Sequence, residues 1–252
     1  MLEVEIAVAK APRHGASESG DTLEIVERPG GGFSCVLVDG QGSGRGAKSL
    51  SNLIVTRAIG QLKDGARDGV VARAVHDYLY TYRMGQVAAT LNILSVDFQS
   101  GSILISRNNP APFYVLSPDS VTIHDEPSVP IGLHPMTKPR ITEVALRPLL
   151  HVVIFSDGLL KAGERYGEDL ELGNFLSGWP VAQADAAALA DALLGRAVEL
   201  DRGQLADDVT IVVLAAAAAD PGQRIRRMQV RFPLEAGAPF ERHSVMDEED
   251  LG

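Results

Sequence analysis

Phe33-Ser34-Cys35-Val36-Leu37-Val38-Asp39-Gly40-Gln41-Gly42-Ser43-Gly44 sets the organisation of the chain. From Phe33 to Val38 only Ser34 breaks an apolar run rich in strand formers, so the spacing predicts a buried strand. The run ends on Asp39, and the three glycines after it let the backbone turn tightly through positive φ. A rigid strand thus delivers a carboxylate to a place where a metal ion or a phosphate can approach the backbone. A plain hairpin, with Asp-Gly serving only as turn chemistry, reads the same residues without any ligand. The rest of the chain has to decide between the two.

At 252 residues and 45% hydrophobic, the chain has enough length and apolar content for one large domain or two small ones. A formal net charge of −10 argues against a nucleic-acid partner, which would call for a basic face. The single cysteine, Cys35, sits inside the apolar run, so a buried core role is expected and an intrachain disulfide is excluded. Glu3 and Glu5 stand where a secretory signal would be apolar, and Val209 to Ala219 is too short to span a bilayer. A cytoplasmic location without membrane association is the expectation.

Working outward, Val4, Ile6 and Val8 alternate with Glu3, Glu5 and Ala7, as in a half-buried strand. A loop of small and polar residues leads to Ser19-Gly20-Asp21, and Thr22 to Arg28 alternates again. Leu50, Leu53, Ile54, Ala58 and Leu62 recur at helical spacing, and a second helix is predicted from about Asp68 to Tyr82. Four strands follow at hairpin spacing over Ala88–Phe98, Ser102–Arg107, Phe113–Leu116 and Val121–His124. No crossover helix separates them, so an antiparallel meander is expected. Strands over Ile141–Leu146 and Val152–Phe155 come next, and the second runs into Ser156-Asp157-Gly158. A helix from about Ala184 carries Leu189, Leu193, Ala197 and Leu200, after which Asp207-Asp208 opens a buried strand over Val209–Leu214.

Asp21, Asp39, Asp157 and Asp207 each stand at the start or end of a predicted strand, and Asp39 and Asp157 are each followed by glycine. Carboxylates crowded together repel one another unless a cation intervenes. Hard divalent cations take oxygen ligands, and Mg²⁺ keeps waters beside one or two carboxylates. Four such aspartates therefore suggest a metal site, although spacing alone does not bring them together.

In order, Ser19-Gly20-Asp21, Asp39-Gly40-Gln41-Gly42-Ser43-Gly44, Phe155-Ser156-Asp157-Gly158 and Asp207-Asp208-Val209-Thr210 resemble the signatures of the metal-dependent type 2C serine/threonine protein phosphatases. The nearest branch is the bacterial sporulation-stage-II-E-like one, and Ala89-Thr90-Leu91 to Asp97 with Ser100-Gly101 also fits it. The chain looks most like the stand-alone feedback phosphatase of the bacterial stressosome. The resemblance implies an α+β fold, a four-layer αββα sandwich of two antiparallel sheets flanked by helices. It implies a phosphatase domain over residues 1–216, leaving 217–252 as a tail or arm. Two Mn²⁺ or Mg²⁺ ions are implied as cofactors, with Asp39 bridging both. Asp157 and Asp207 would complete one site, Asp21 and the Gly40 carbonyl the other. Asp208 would orient Asp207 or hold a water. The reaction implied is attack of a water bridging two metals on phosphoserine or phosphothreonine. The implied partner is a phosphorylated regulatory protein, an anti-sigma-factor antagonist or a stressosome scaffold.

Asn108-Asn109 stands where many members of the branch carry Gly-His, which is expected to alter the rim of the site. No clear counterpart of the phosphate-gripping arginine is found; Arg13 and Arg45 are candidates that read more readily as solvated surface residues, and no histidines show paired ligand spacing. A non-catalytic binding module of the same fold is one rival. A dinucleotide-binding protein is another, because Gly42-Ser43-Gly44-Arg45-Gly46-Ala47 satisfies the loose G-x-G-x-x-A pattern. That motif needs a βαβ unit with an acidic residue after the second strand, whereas Asp64 lies between two predicted helices. The arginines and the alternating Met228, Val230 and Phe232 of the tail suggest docking to a partner or to a second copy, giving a homodimer.

Overall fold

The computed structural model describes residues 2–181, 185–219 and 226–231. The chain divides into two compact units, Met1–Ala219 and Asp220–Gly252. Within the second unit residues 226–231 are exposed and form neither helix nor strand, and Phe232 lies outside the described residues.

Among the described residues, ten strands and five α-helices build the first unit. The strands are β1 (Leu2–Ala11), β2 (Asp21–Glu27), β3 (Phe33–Gly40), β4 (Ala89–Asp97), β5 (Ser102–Asn108), β6 (Phe113–Ser117), β7 (Ser120–His124), β8 (Arg140–Ala145), β9 (Leu150–Phe155) and β10 (Val209–Ala218). The helices are α1 (Gly44–Lys63), α2 (Asp68–Arg83), α3 (Gly158–Lys161), α4 (Leu172–Ser177) and α5 (Ala186–Leu200). One five-stranded sheet has the order β1-β10-β9-β6-β7, the other β2-β3-β4-β5-β8. Every pairing is antiparallel.

Because side chains alternate across a strand, each central strand serves two cores. In β3, Cys35 and Leu37 join the layer between the sheets, while Val36 and Val38 face outward onto α1 and α2. In β10, Val212, Leu214 and Ala216 point into the same inner layer, and Ile211, Val213 and Ala215 pack outward with the α5 residues Leu189 and Leu193. Three apolar layers separated by two sheets give the expected αββα sandwich. On α1 the buried residues Ala47, Leu50, Ile54, Ala58 and Leu62 fall three or four apart, one stripe facing the sheet that Val55 widens. Cys35 is wholly buried, which pushes its thiol up to about 12 and confirms it as a core residue.

One expectation changes and another holds. The meander is not continuous: β5 pairs with β4 and β8, whereas β6 pairs with β7 and β9 in the other sheet. Hairpin spacing is the same whether neighbours share a sheet or change sheets, so the switch at Asn108 to Ala111 leaves no periodic signal. The glycine run also belongs to no βαβ unit. The chain leaves β3, forms both α1 and α2, and returns as β4 antiparallel to β3. This removes the structural context that a dinucleotide motif requires.

Candidate functional site

Antiparallel register sets Asp21, the first residue of β2, directly opposite Asp39 near the end of β3. Gly40 follows at the last position of β3, opposite Ala89. Its need for glycine is spatial, since a Cβ there would lie 2.4 Å from the Ala47 carbonyl oxygen of α1. Positive φ is found at Gly42 and Gly44, and not at Gly40. In the other sheet Ile211 pairs with Phe155, so the end of β9 and the start of β10 lie side by side. Asp157 therefore emerges beside Asp207 and Asp208. Gly158 is a second forced glycine, because a Cβ there would come within 2.1 Å of the Asp208 carbonyl oxygen.

The two pairs meet across the sandwich. The Thr210 hydroxyl on β10 donates to Asp21 Oδ2 at 2.6 Å, joining the sheets through buried groups. Asp39 feels the charges of Asp21, Asp157 and Asp207 together. Burial, then those three carboxylates, push its pKa up to about 8, against the opposing pull of Lys161. Asp21 is pushed up to about 6 by burial, with hydrogen bonds from Thr210 and Ser156 acting the other way. Asp21 Oδ1 is buried and without a hydrogen-bond partner among the described residues. An orphaned carboxylate oxygen is costly in a folded chain.

All four candidate aspartates thus converge. Asp208 braces two parts of the site. Its carboxylate accepts from the backbone N–H of Gly20 at 2.7 Å and of Arg13 at 2.9 Å, clamping the loop that leads into Asp21. Its contact with Asp207 runs through its own backbone N–H, which donates to Asp207 Oδ1 at 2.9 Å. Asn108 and Asn109 are buried, so they brace the interior and do not form a rim. The Asn109 amide donates to the Phe155 carbonyl at 3.2 Å, two residues before Asp157. Arg13 and Arg45 are exposed.

Sequence reasoning missed the basic residues. Lys10 and Lys48 both donate to the Asp21 carbonyl oxygen, at 2.7 and 2.8 Å. Lys161, in the last turn of α3, sits 2.7 Å from Asp157 Oδ2 and 2.7 Å from Asp207 Oδ2. The i,i+4 spacing from Asp157 was a usable signal for one of these contacts, whereas the contact with Asp207 is purely tertiary. Lys161 bridges Asp157 and Asp207, and no three acidic, histidine or cysteine side chains among the described residues stand as a ready metal cluster. The donor set still suits a hard cation: four carboxylates, one with an unpartnered buried oxygen and one that burial and its neighbours keep from ionising freely.

The family described as Stage II sporulation protein E (SpoIIE) matches residues 29–217. The chain belongs to the SpoIIE family. A stage II sporulation protein E of Priestia megaterium is 21% identical over 212 residues, which is 83% of this chain and 36% of the relative. This chain therefore spans about a third of that protein's length. Among solved structures, the PP2C phosphatase domain of SpoIIE from Bacillus subtilis with a fragment of its regulatory domain superposes with a TM-score of 0.78. The identity is 22%, covering 87% of this chain and 65% of that one. RsbX in complex with magnesium superposes with a TM-score of 0.64 at 16% identity, covering 86% of this chain and 100% of that one. At such identities these likenesses establish the fold. Among the described residues no helix is long and apolar enough to cross a membrane.

Proposed function

We propose that this SpoIIE-family chain is a metal-dependent serine/threonine phosphoprotein phosphatase, with residues 1–216 as its catalytic domain. The observation that carries the reading is the meeting of four strand-end aspartates from two sheets around Asp39, whose ionisation the fold opposes. Such a cluster is electrostatically incomplete without cations. Two divalent ions, Mn²⁺ or Mg²⁺, would supply charge neutralisation and an activated water. Asp39 would serve both ions, Asp157 and Asp207 one of them, and Asp21 with the Gly40 carbonyl the other.

The chain's own residues prepare this site. Thr210 holds one oxygen of Asp21 and leaves the other free for an ion. Asp208 fixes the loop before Asp21 and, through its N–H, one oxygen of Asp207. The side chains of Asp157 and Asp207 are 40% and 33% exposed, so the site opens to solvent on the α3 side, where a phosphorylated segment can enter. No protein nucleophile is required, and the products are a free hydroxyl and inorganic phosphate. The substrate proposed is a phosphoserine or phosphothreonine on a bacterial regulatory protein, of the anti-sigma-factor antagonist or stressosome scaffold type. The segment 217–252 is proposed to dock that partner or a second copy.

Phosphate release from p-nitrophenyl phosphate, with and without Mn²⁺, tests the activity on the wild type and on Asp39→Asn. Release that requires Mn²⁺ and disappears in Asp39→Asn is the expected result. Mn²⁺ binding with no hydrolysis of this ester or of phosphoserine peptides would instead establish a binding module.

A further inference from the structure

Lys161 places an ammonium between two of the candidate ligands. Its Nζ lies 2.7 Å from Asp157 Oδ2 and 2.7 Å from Asp207 Oδ2, bridging two carboxylates that come from different strand ends. The Lys161 side chain is 41% exposed, so it reaches the carboxylates from the solvent side and has room to swing away. Its helix gives it no other acidic partner among the described residues. Asp21 and Asp208 are served differently: Asp21 by the Thr210 hydroxyl, and Asp208 by backbone N–H groups.

We infer that Lys161 is an internal counter-ion that occupies the Asp157–Asp207 side of the site and that an incoming divalent ion must displace. Metal binding at that pair is then an exchange of one cation for another, not the filling of an open cage. The lysine holds the metal-free site together and, by the same contacts, sets the metal affinity lower than four bare carboxylates would give. This rests on the metal-dependent reading above.

Isothermal titration of the whole protein with Mn²⁺ after EDTA treatment, together with thermal unfolding in EDTA, provides the test. Lys161→Met keeps the apolar stem and removes the charge, while Lys161→Arg keeps the charge. In the methionine variant Mn²⁺ should bind about tenfold more tightly, while the midpoint in EDTA falls by a few degrees. The arginine variant should stay near the wild type on both. An affinity in Lys161→Met equal to or weaker than wild type would overturn the inference while leaving the metal site standing. So would equal tightening in both variants. Absence of Mn²⁺ binding in every form, wild type included, would defeat the metal reading itself and the counter-ion role with it.

Discussion

Asp39→Asn should make the metal-free protein more stable while removing its activity. Asp39 titrates near 3.8 when unperturbed and is pushed up to about 8 in the folded chain, by burial first and then by Asp21, Asp157 and Asp207. That is roughly 4 units, and each is worth about 1.4 kcal/mol, so the folded state disfavours the ionised form by roughly 5 kcal/mol. The sign follows from the direction of the shift. Between about pH 4 and pH 8 the folded chain holds a proton on Asp39 that the unfolded chain has released. This group's contribution to stability is therefore complete below about pH 4 and is lost as pH rises to about 8. Asparagine has no charge to lose. With the penalty shared among the neighbouring carboxylates, the substitution should stabilise the metal-free protein by about 2–3 kcal/mol at pH 7.5. For a domain of this size that is roughly 5–10 °C in Tm. Urea unfolding in EDTA at pH 5, 6.5 and 8 would measure it, the wild type losing stability across the series and Asp39→Asn much less. Saturating Mn²⁺ should reverse the order, because a ligand that binds only the folded state stabilises it. Parallel pH series for the two proteins, or an Asp39→Asn variant that is the less stable at pH 8 in EDTA, would refute the electrostatic account.

Two further substitutions probe the scaffold. Gly158→Ala would drive a Cβ to within 2.1 Å of the Asp208 carbonyl oxygen, and since backbone has to move, a loss of about 2–4 kcal/mol in chemical denaturation is expected. Asp208→Asn keeps the size but weakens two charge-assisted hydrogen bonds donated by the N–H groups of Gly20 and Arg13, so limited proteolysis should cut the segment around 12–20 faster than in wild type, with a stability loss of about 1–3 kcal/mol.

Much of the architecture was legible because burial on both faces leaves a plain mark. Phe33 to Val38 reads as apolar throughout, and the structure explains it: alternate residues feed the inner layer and the layer under α1 and α2. The candidate aspartates were picked out because each stands at or beside the end of a predicted strand. What stayed hidden depends on tertiary neighbours. α3, with four residues, and α4, with six, are too short to set a period. α1 begins at Gly44, earlier than its apolar stripe suggests, because glycines of low helix propensity are recruited into its first turn. The clamp made by Asp208 depends on the backbone of Gly20, 188 residues away in sequence, and nothing local announces it. For Lys161 the only local sign is its i,i+4 spacing from Asp157, and its contact with Asp207 leaves none.

The hydrogen bond from Thr210 to Asp21 crosses from one sheet to the other at the rim of the sandwich. Asp21 and Asp39 belong to one sheet, Asp157 and Asp207 to the strand ends of the other. On the metal-dependent reading, the site would gauge the gap between two stacked plates. An ion held by ligands from both would act as a rivet, and the inner apolar layer of Leu37, Leu94, Val152 and Val212 as the shim that sets its grip. Side chains buried well inside the plates, with no contact with any ion, then become part of what tunes the chemistry at their edge.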